Sequence, residues 1–200
     1  GEILRPEADQ VVLDVGSGLG GPARYLAATY GCAVVGIDLT SDFVRVATTL
    51  SGHAGLADRT TFLVGNALDM PFDDAAMNIS DREGLYGEVR RVVKPGALFA
   101  VHDVLIGNGQ PVEYPLPWAT DEEASHLVTE SDMHRLIQGV GFALVNAVDM
   151  TEVAKAFFQA NAAAPPDPNA PANLAAFLGP EFVVNLRNLA RQTLDGRLRM

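Results

Sequence analysis

The chain has 200 residues, of which 48% are hydrophobic, so it can bury a sizeable core and is not expected to be disordered as a whole. Its net charge of −11 repels phosphate backbones and no Lys/Arg cluster appears, so a nucleic-acid partner is not expected. The single cysteine excludes an intramolecular disulfide, no metal-ligand spacing is present, and the lack of a signal peptide or long apolar run predicts a cytoplasmic protein without a membrane span.

The first two-thirds of the chain alternate between strand and helix patterns. Three apolar runs have the composition of strands that are buried on both faces, at 10–15, 32–38 and 60–65. Pro22 suits the first turn of a helix that ends near Gly31, and Thr40 or Ser41 is expected to cap a second helix. This alternation indicates a parallel, doubly wound sheet with ligands at the carboxyl ends of its strands.

Further elements follow residue 80. Ser80 and Glu83 form a capping box for a helix that Lys94-Pro95-Gly96 stops. Thr129 and Asp132 open another helix in the same way. The remaining pattern predicts strands at 97–106 and 141–150, helices at 151–162 and 181–194, a flexible connector at 163–173 and the start of a strand at 197–200.

A glycine-rich turn joins the first strand to the first helix in VVLDVGSGLGG. Gly16, Gly18 and Gly21 read as G-x-G-x-x-G, the pattern of a dinucleotide site. With Gly20 in place of Gly21 the same turn reads G-x-G-x-G. Asp14 precedes the turn, and a carboxylate there is unfavourable beside a diphosphate but suits an ammonium group. S-adenosylmethionine carries an ammonium, a sulfonium and one carboxylate, so Asp14 favours this ligand.

Two further segments at strand ends suit a nucleoside. Asp38 ends the second strand, where a carboxylate accepts both hydroxyls of a ribose and would repel the extra phosphate of NADP. Asn66 follows the third strand and can hydrogen-bond the edge of an adenine, while Ala67 and Leu68 can cover its face. Asp38 serves NAD and S-adenosylmethionine equally, so the choice between them depends on Asp14 and on GNALDMPF.

Four pieces in a fixed order, VLDVGSGLGG, VVGIDLT, GNALDMPF and LYGEVRRVVKPGALFAVHDVL, resemble class I S-adenosylmethionine-dependent methyltransferases. With PLPWA…LVTESDMHRLIQGVGF they are similar to the small-molecule branch, which includes quinone, tocopherol and sarcosine/dimethylglycine methyltransferases. The resemblance covers about residues 8–150. It implies a Rossmann-like, mostly parallel sheet with an antiparallel C-terminal hairpin and helical cap elements, and methyl transfer to the N, O or C atom of a small molecule.

The resemblance also implies roles for individual residues. It places Asp14, Gly16, Ser17 and Gly18 at the methionine end of the cofactor, Asp38 and Leu39 at the ribose, and Asn66, Ala67 and Leu68 at the adenine. We expect a single domain over 1–200, with a lid loop at 107–128 and a helical cap at 151–194. The apolar faces of the cap helices either cover the pocket or meet a second copy of the chain, as in a homodimer.

The acceptor side leaves alternatives open. His102 lies near the carboxyl end of its predicted strand, where it either contacts the substrate or is a core histidine. Tyr114 and Trp118 either form a wall over the acceptor or anchor their loop. No catalytic base and no metal ligand are assigned.

One element of the family is missing. The family has a fourth strand beside the first, whereas PFDDAAMNISDRE passes from an acidic turn to the capping box without a strand. Loss of a central strand leaves buried ladder groups unpaired, each at about 1–3 kcal/mol. Either residues are absent from this sequence between about Ala75 and Met77, or the strand is deleted. A deletion predicts a catalytically silent protein that binds S-adenosylmethionine; a nicotinamide-dependent oxidoreductase is the other alternative.

Overall fold

The structure, a computed structural model, describes residues 4–68, 80–163 and 179–200. The segment around Ala75–Met77 and nearly all of the predicted connector at 163–173 lie outside these ranges. Within them no helix is long and apolar enough to cross a membrane, and no three His, Cys, Asp or Glu side chains gather as a metal site requires. The chain divides into two compact units, 1–100 with 139–142 and 101–138 with 143–200, so the single domain stays a prediction.

Three parallel strands form the sheet of the first unit, in the order β1 (Val11–Val15), β2 (Ala33–Asp38) and β3 (Thr60–Val64). Helices α1 (Gly21–Tyr30) and α2 (Ser41–His53) connect them, and α3 (Arg82–Val92) follows. Each strand agrees with its prediction to within one residue at either end. The parallel order and the connecting helices confirm the α/β, doubly wound fold class. The core between sheet and helices consists of Ala23, Ala27, Cys32, Val34, Val44, Ala47 and Phe62.

The cap of α3 differs from its prediction, whereas α2 has its N-cap at a predicted residue, Thr40. Asp81, not Ser80, is the N-cap of α3, because its carboxylate accepts a hydrogen bond from Gly84 N at 2.8 Å. Thr40 is the N-cap residue of α2, but its side chain makes no capping hydrogen bond. Instead, Asp38 Oδ1 accepts from Thr40 N at 2.8 Å. At α3 a carboxylate, which is the stronger acceptor, thus caps the helix in place of a hydroxyl.

The predicted strands at 97–106 and 141–150 are wrong for most of their length. Only Leu105–Ile106 forms a strand (β4), no strand occurs in 141–150, and Val145 is 80% exposed. A strand exists only where a neighbour completes its ladder of hydrogen bonds. In the described part of the chain β1 pairs with β2 on one side and with no strand on the other. The runs at 97–104 and 141–150 have the composition of strands but no neighbouring strand among the described residues to pair with, so they remain irregular.

The second unit contains the antiparallel pair. Its strand β4 pairs with β5 (Leu198–Arg199), so the pair joins segments far apart in sequence and does not include 141–150. The helices of this unit are α4 (Glu130–Gly139), α5 (Thr151–Ala163) and α6 (Pro180–Leu194), and α4 begins with the predicted bond from Asp132 N to Thr129 Oγ1, at 3.2 Å. The core of this unit is built from Leu116, Leu189 and Leu198 with partly buried neighbours.

Side-chain amides of α6 hold the loop 107–128 in place. Gln192 is fully buried; its Oε1 accepts from Glu113 N and its Nε2 donates to Glu113 O, both at 2.7 Å. Asn188 Nδ2 donates to Pro115 O at 2.9 Å. The glutamine thus satisfies both backbone groups of one loop residue, as a neighbouring strand would.

Gln192→Leu should destabilise the second unit by about 2–4 kcal/mol, because it leaves the N–H and C=O of Glu113 without partners. Urea unfolding measures the loss. Gln159→Leu makes the same change at an exposed position of α5 and should alter stability by less than about 0.5 kcal/mol. Equal stability of the two variants would show that the two hydrogen bonds between Gln192 and Glu113 do not contribute to the free energy of unfolding.

Candidate cofactor site

The residues predicted to bind the nucleoside and the methionine end lie at one edge of the first unit's sheet. Asp14 is the penultimate residue of β1, Asp38 is the last residue of β2, and Asn66 follows β3 by two residues. The register pairs Asp38 with Val64, so the ends of β2 and β3 are level, and Gly65 N donates to Asp38 O at 3.1 Å. The structure therefore brings together the three segments that the sequence singled out.

The glycine turn crosses from β1 to α1 through left-handed residues. Gly16, Gly18 and Gly20 have φ values of 67°, 52° and 71°, which side-chain-bearing residues rarely adopt. Gly21 is the first residue of α1, and a Cβ there would meet no atom of the described residues within 4 Å. The third glycine of a dinucleotide fingerprint serves close packing between helix and strand. Gly21 has no such contact, so the turn matches the G-x-G-x-G reading.

The ring of the buried Phe62 packs against the glycine turn and against β2. A Cβ added to Gly20 would lie 2.5 Å from Phe62 Cζ. A Cβ added to Gly36 would lie 2.5 Å from Phe62 Cδ1 and 2.8 Å from Ser17 Cβ. The ring thus fills the space between the turn and β2. The sequence interpretation missed this role of Gly36 and Phe62, although a glycine inside a strand is itself a signal of close approach.

Asp38 locks the turn to the end of β2. Its Oδ2 accepts from Gly18 N and its Oδ1 accepts from Thr40 N, both at 2.8 Å. A second tie runs from Ser17 N to Ile37 O at 2.9 Å. A carboxylate offers about four acceptor positions, so two remain for the hydroxyls of a ribose.

Asp14 forms no ion pair with any residue that the structure describes. Its Oδ2 is buried and has no hydrogen-bond partner among the described residues. Burial raises the pKa of Asp14, a backbone hydrogen bond from Ala23 opposes the shift, and repulsion by Asp38 adds to it. A buried acceptor of this kind is costly when empty and favourable when a cation reaches it.

The segment after β3 offers both polar and apolar surface. Asn66 Oδ1 accepts from Leu68 N at 3.0 Å, which leaves the NH₂ group of Asn66 as the part that can donate to a ligand. Ala67 packs against the buried Ile37. Leu39 is 73% exposed and Leu68 is 41% exposed, so both present apolar surface next to these polar groups.

The predicted acceptor residues belong to the second unit. His102 is exposed and lies outside any strand, because its run forms a strand only at its last two residues. Tyr114 and Trp118 pack into the cluster around Leu116, and Trp118 Nε1 donates to Ser125 Oγ at 3.4 Å. These contacts are those of an anchored loop. A role for the three residues in acceptor binding stays a prediction.

Residues 13–101 match the family model described as a methyltransferase domain. The sterol 24-C-methyltransferase of Eremothecium gossypii is 38% identical over 103 residues, which are 46% of this chain and 28% of that protein. The sterol 24-C-methyltransferase of Schizosaccharomyces pombe is 29% identical over 157 residues, which are 70% of this chain and 42% of that protein. The chain therefore spans less than half the length of these relatives.

Solved methyltransferases share the fold. Geranyl diphosphate C-methyltransferase from Streptomyces coelicolor A3(2), in complex with Mg²⁺, geranyl diphosphate and S-adenosyl-L-homocysteine, has a TM-score of 0.72 at 17% identity, over 99% of this chain and 75% of that one. Phosphoethanolamine N-methyltransferase 2 of Haemonchus contortus, in complex with S-adenosyl-L-methionine, has a TM-score of 0.75 at 20% identity, over 99% and 49%. Residues 13–101 are thus similar to a methyltransferase domain, and the chain shares its fold with solved methyltransferases that bind S-adenosyl-L-homocysteine or S-adenosyl-L-methionine.

Proposed function

We propose that the chain binds S-adenosylmethionine at the carboxyl ends of β1, β2 and β3 and transfers its methyl group to a small-molecule acceptor. The observation that carries this proposal is the buried Oδ2 of Asp14, for which the described residues provide no hydrogen-bond partner. An ammonium group would satisfy this oxygen, whereas a diphosphate would be repelled by it. The surroundings of Gly21 also favour S-adenosylmethionine over a dinucleotide. The third glycine of a dinucleotide site packs closely between helix and strand, and Gly21 makes no such close contact with the described residues.

The donor set fits each part of this cofactor. Asp14 would hold the ammonium, Asp38 and Leu39 the ribose, and Asn66 to Leu68 the adenine. A Cβ at Gly18 would meet no atom within 4 Å, so the turn leaves room for the methionine end. Gly16 and Ser17 shape this turn, because Ser17 N is already bonded to Ile37 O.

The cofactor supplies a methyl group on a sulfonium, which an acceptor takes by in-line displacement. The task of the chain is therefore to hold the two reactants in line rather than to activate the methyl group. The named relatives act on sterols, geranyl diphosphate and phosphoethanolamine, so an N, O or C acceptor atom stays open. The lid at 107–128, the cap at 151–194, a homodimer and a cytoplasmic location stay predictions of the sequence.

A second candidate function is binding of S-adenosylmethionine without turnover. It is favoured by the sheet of the first unit, in which no described strand pairs with the outer edge of β1. The two candidates share the cofactor site and differ only in methyl transfer. A nicotinamide-dependent oxidoreductase is the weaker alternative, because Asp14 would face the diphosphate.

Calorimetric titration with S-adenosylhomocysteine and with NADH separates the cofactor classes. We expect S-adenosylhomocysteine to bind and NADH not to bind. Transfer of a labelled methyl group from S-adenosylmethionine to a panel of sterols, prenyl diphosphates, amines and quinones then separates an enzyme from a silent protein. Binding without transfer to any member would favour the silent protein, and tighter binding of NADH would overturn both candidates.

Asp38→Ala should weaken the binding of S-adenosylhomocysteine by about 1–3 kcal/mol, because it removes the acceptor for the ribose hydroxyls. It should also destabilise the free chain by about 1 kcal/mol through loss of the bonds from Gly18 N and Thr40 N. Calorimetry and urea unfolding measure the two effects. Asp42→Ala removes an exposed carboxylate from the first turn of α2 and is the matched control. Unchanged affinity in Asp38→Ala would remove Asp38 from the site.

A further inference from the structure

An apolar ridge runs along the exposed side of α5 in the second unit. Its residues are spaced i, i+3, i+4 and i+7, so they lie on one face of the helix: Val153, Ala156, Phe157 and Ala160. All four are exposed, and the two large side chains, Val153 and Phe157, are 59% and 62% exposed. Single exposed apolar residues are ordinary, whereas four in one continuous row indicate a surface that a partner covers.

The opposite side of α5 is already packed within the second unit. Phe158 packs into the leucine core of this unit, and α5 contacts α6. At the start of the helix, Thr151 is buried and its Oγ1 accepts a hydrogen bond from Met200 N at 3.0 Å. Rotation of α5 to hide the apolar ridge would expose Phe158 and break this bond. A partner beyond the described residues must therefore cover the ridge.

The charge on α5 favours a second copy of the chain over a membrane surface. Glu152 and Lys155 are the two charged residues of this helix, and their side chains pair at 2.8 Å. The helix thus carries no net charge in a chain whose net charge is −11, so repulsion between two copies is least where these helices meet. A helix that binds a membrane surface is rich in lysine and arginine on its polar face, and α5 has one lysine.

The order of large and small side chains makes the apolar ridge complementary to itself. Along the helix the ridge reads large, small, large, small. A two-fold axis between positions 156 and 157 pairs two copies of α5 in antiparallel orientation and places Phe157 opposite the partner's Ala156. The same axis places Val153 opposite the partner's Ala160. Each large side chain then meets a small one, so the two helices can interdigitate, whereas a parallel pair would set Phe157 against itself.

We propose that the apolar ridge of α5 joins two copies of the chain through an antiparallel, two-fold symmetric pair of α5 helices. The ridge spans only about two helical turns, which is small against a standard interface of about 800 Å² per partner, so the dimer is weak. Because each copy carries a net charge of −11, the dimer should become tighter when salt screens the repulsion. The proposal concerns the second unit and does not depend on the cofactor site.

Sedimentation equilibrium of the 200-residue chain over about 5–500 µM measures the association. Phe157→Ala should weaken the dimer about tenfold or more, since the two-fold axis removes this side chain from the interface twice. Tyr25→Ala truncates an exposed aromatic residue of α1 in the first unit, and this matched control should leave the association unchanged. Raising NaCl from about 50 mM to about 500 mM should strengthen the dimer of the unchanged chain.

An exchange of the two central residues tests the antiparallel pairing itself. Ala156→Phe alone sets two phenylalanines against each other and should weaken the dimer. Ala156→Phe combined with Phe157→Ala restores one large and one small side chain at each contact, so it should recover most of the affinity. Both positions are exposed, and the thermal unfolding midpoint shows whether each variant remains folded. Val153→Ala, which truncates the other large side chain, replaces Phe157→Ala if that variant does not fold.

A chain that stays monomeric at all these concentrations would overturn the proposal, and so would a dimer that Phe157→Ala does not weaken. A double variant that associates no better than Ala156→Phe alone would overturn the antiparallel pairing. Flotation with vesicles of phosphatidylcholine and phosphatidylserine tests the other partner. Binding of the unchanged chain to these vesicles that is lost in Phe157→Ala would assign the apolar ridge to a membrane surface and also overturn the proposal.

Discussion

Replacing Asp14 with asparagine should stabilise the free chain and weaken its binding of S-adenosylhomocysteine. In the free chain the charged form of Asp14 is disfavoured by burial and by Asp38, and no residue in the described part of the chain bonds to its Oδ2. Asparagine removes that charge, and we expect a gain of about 1 kcal/mol at neutral pH, or a few degrees in Tm. The same change removes the counter-charge for an ammonium, and we expect roughly a tenfold loss of affinity.

The pH dependence of the Asp14 effect has a definite sign. Because the pKa of Asp14 is raised in the folded chain, folding favours the protonated carboxyl. The contribution of Asp14 to the free energy of unfolding is fully present below pH 3.8, the ordinary pKa of an aspartate. It is lost as the pH rises through the raised pKa of Asp14 in the folded chain. The stability gain of Asp14→Asn should therefore be absent below this window and complete at neutral pH.

Ligand binding should respond to pH in the opposite sense. An ammonium beside Asp14 favours the ionised carboxylate, so the affinity for S-adenosylhomocysteine should fall as acidification protonates Asp14. Thermal unfolding and calorimetry across this range measure both trends, with Asp58→Asn at an exposed position of the same unit as the control. A variant that is less stable than the unchanged chain at neutral pH would contradict the account of Asp14.

Gly36→Ala should destabilise the first unit by about 2–3 kcal/mol. Its Cβ would lie 2.5 Å from Phe62 Cδ1 and 2.8 Å from Ser17 Cβ, so the ring and the turn must both move. The φ of Gly36 is not positive, so the effect is steric and not a consequence of backbone conformation. Movement of Ser17 also shifts the glycine turn, and we expect weaker binding of S-adenosylhomocysteine in the same variant.

Urea unfolding of a mutant cycle tests this packing directly. Phe62→Leu replaces the ring with a smaller side chain. Gly36→Ala should therefore lower the free energy of unfolding much less in the Phe62→Leu background than on its own. Gly52→Ala is the control, because a Cβ there meets no atom within 4 Å and alanine favours the helix by up to about 1 kcal/mol. If the losses of stability from Gly36→Ala and Phe62→Leu are additive, the ring of Phe62 does not occupy the space that a Cβ at residue 36 would enter.

The part of the fold that depends on local pattern could be predicted from the sequence. The predicted runs for β1 and β2 end at the residues where the structure ends these strands, and the run for β3 ends one residue beyond it. Parallel topology then brings Asp14 and Asp38 to one edge of the sheet. The runs at 97–106 and 141–150 have equally good strand composition and are mostly irregular. Whether a run becomes a strand depends on a partner elsewhere in the chain, and local composition carries no information about it.

In the candidate site too, the features that depend on local pattern could be predicted from the sequence, and those that depend on tertiary contacts could not. The position of Asp14, Asp38 and Asn66 at one edge of the sheet could be predicted, because each lies at or just after the end of a strand. The support of the turn by Phe62 depends on distances between β2 and β3 that no sequence pattern encodes.

A crystal structure of the chain with S-adenosylhomocysteine would show which residues bind each part of the cofactor. We expect the ribose hydroxyls on Asp38, the adenine beside Asn66 to Leu68, and the ammonium within hydrogen-bond distance of Asp14 Oδ2. Adenosine bound elsewhere on the chain, or an ammonium that leaves Asp14 Oδ2 without a partner, would contradict this expectation.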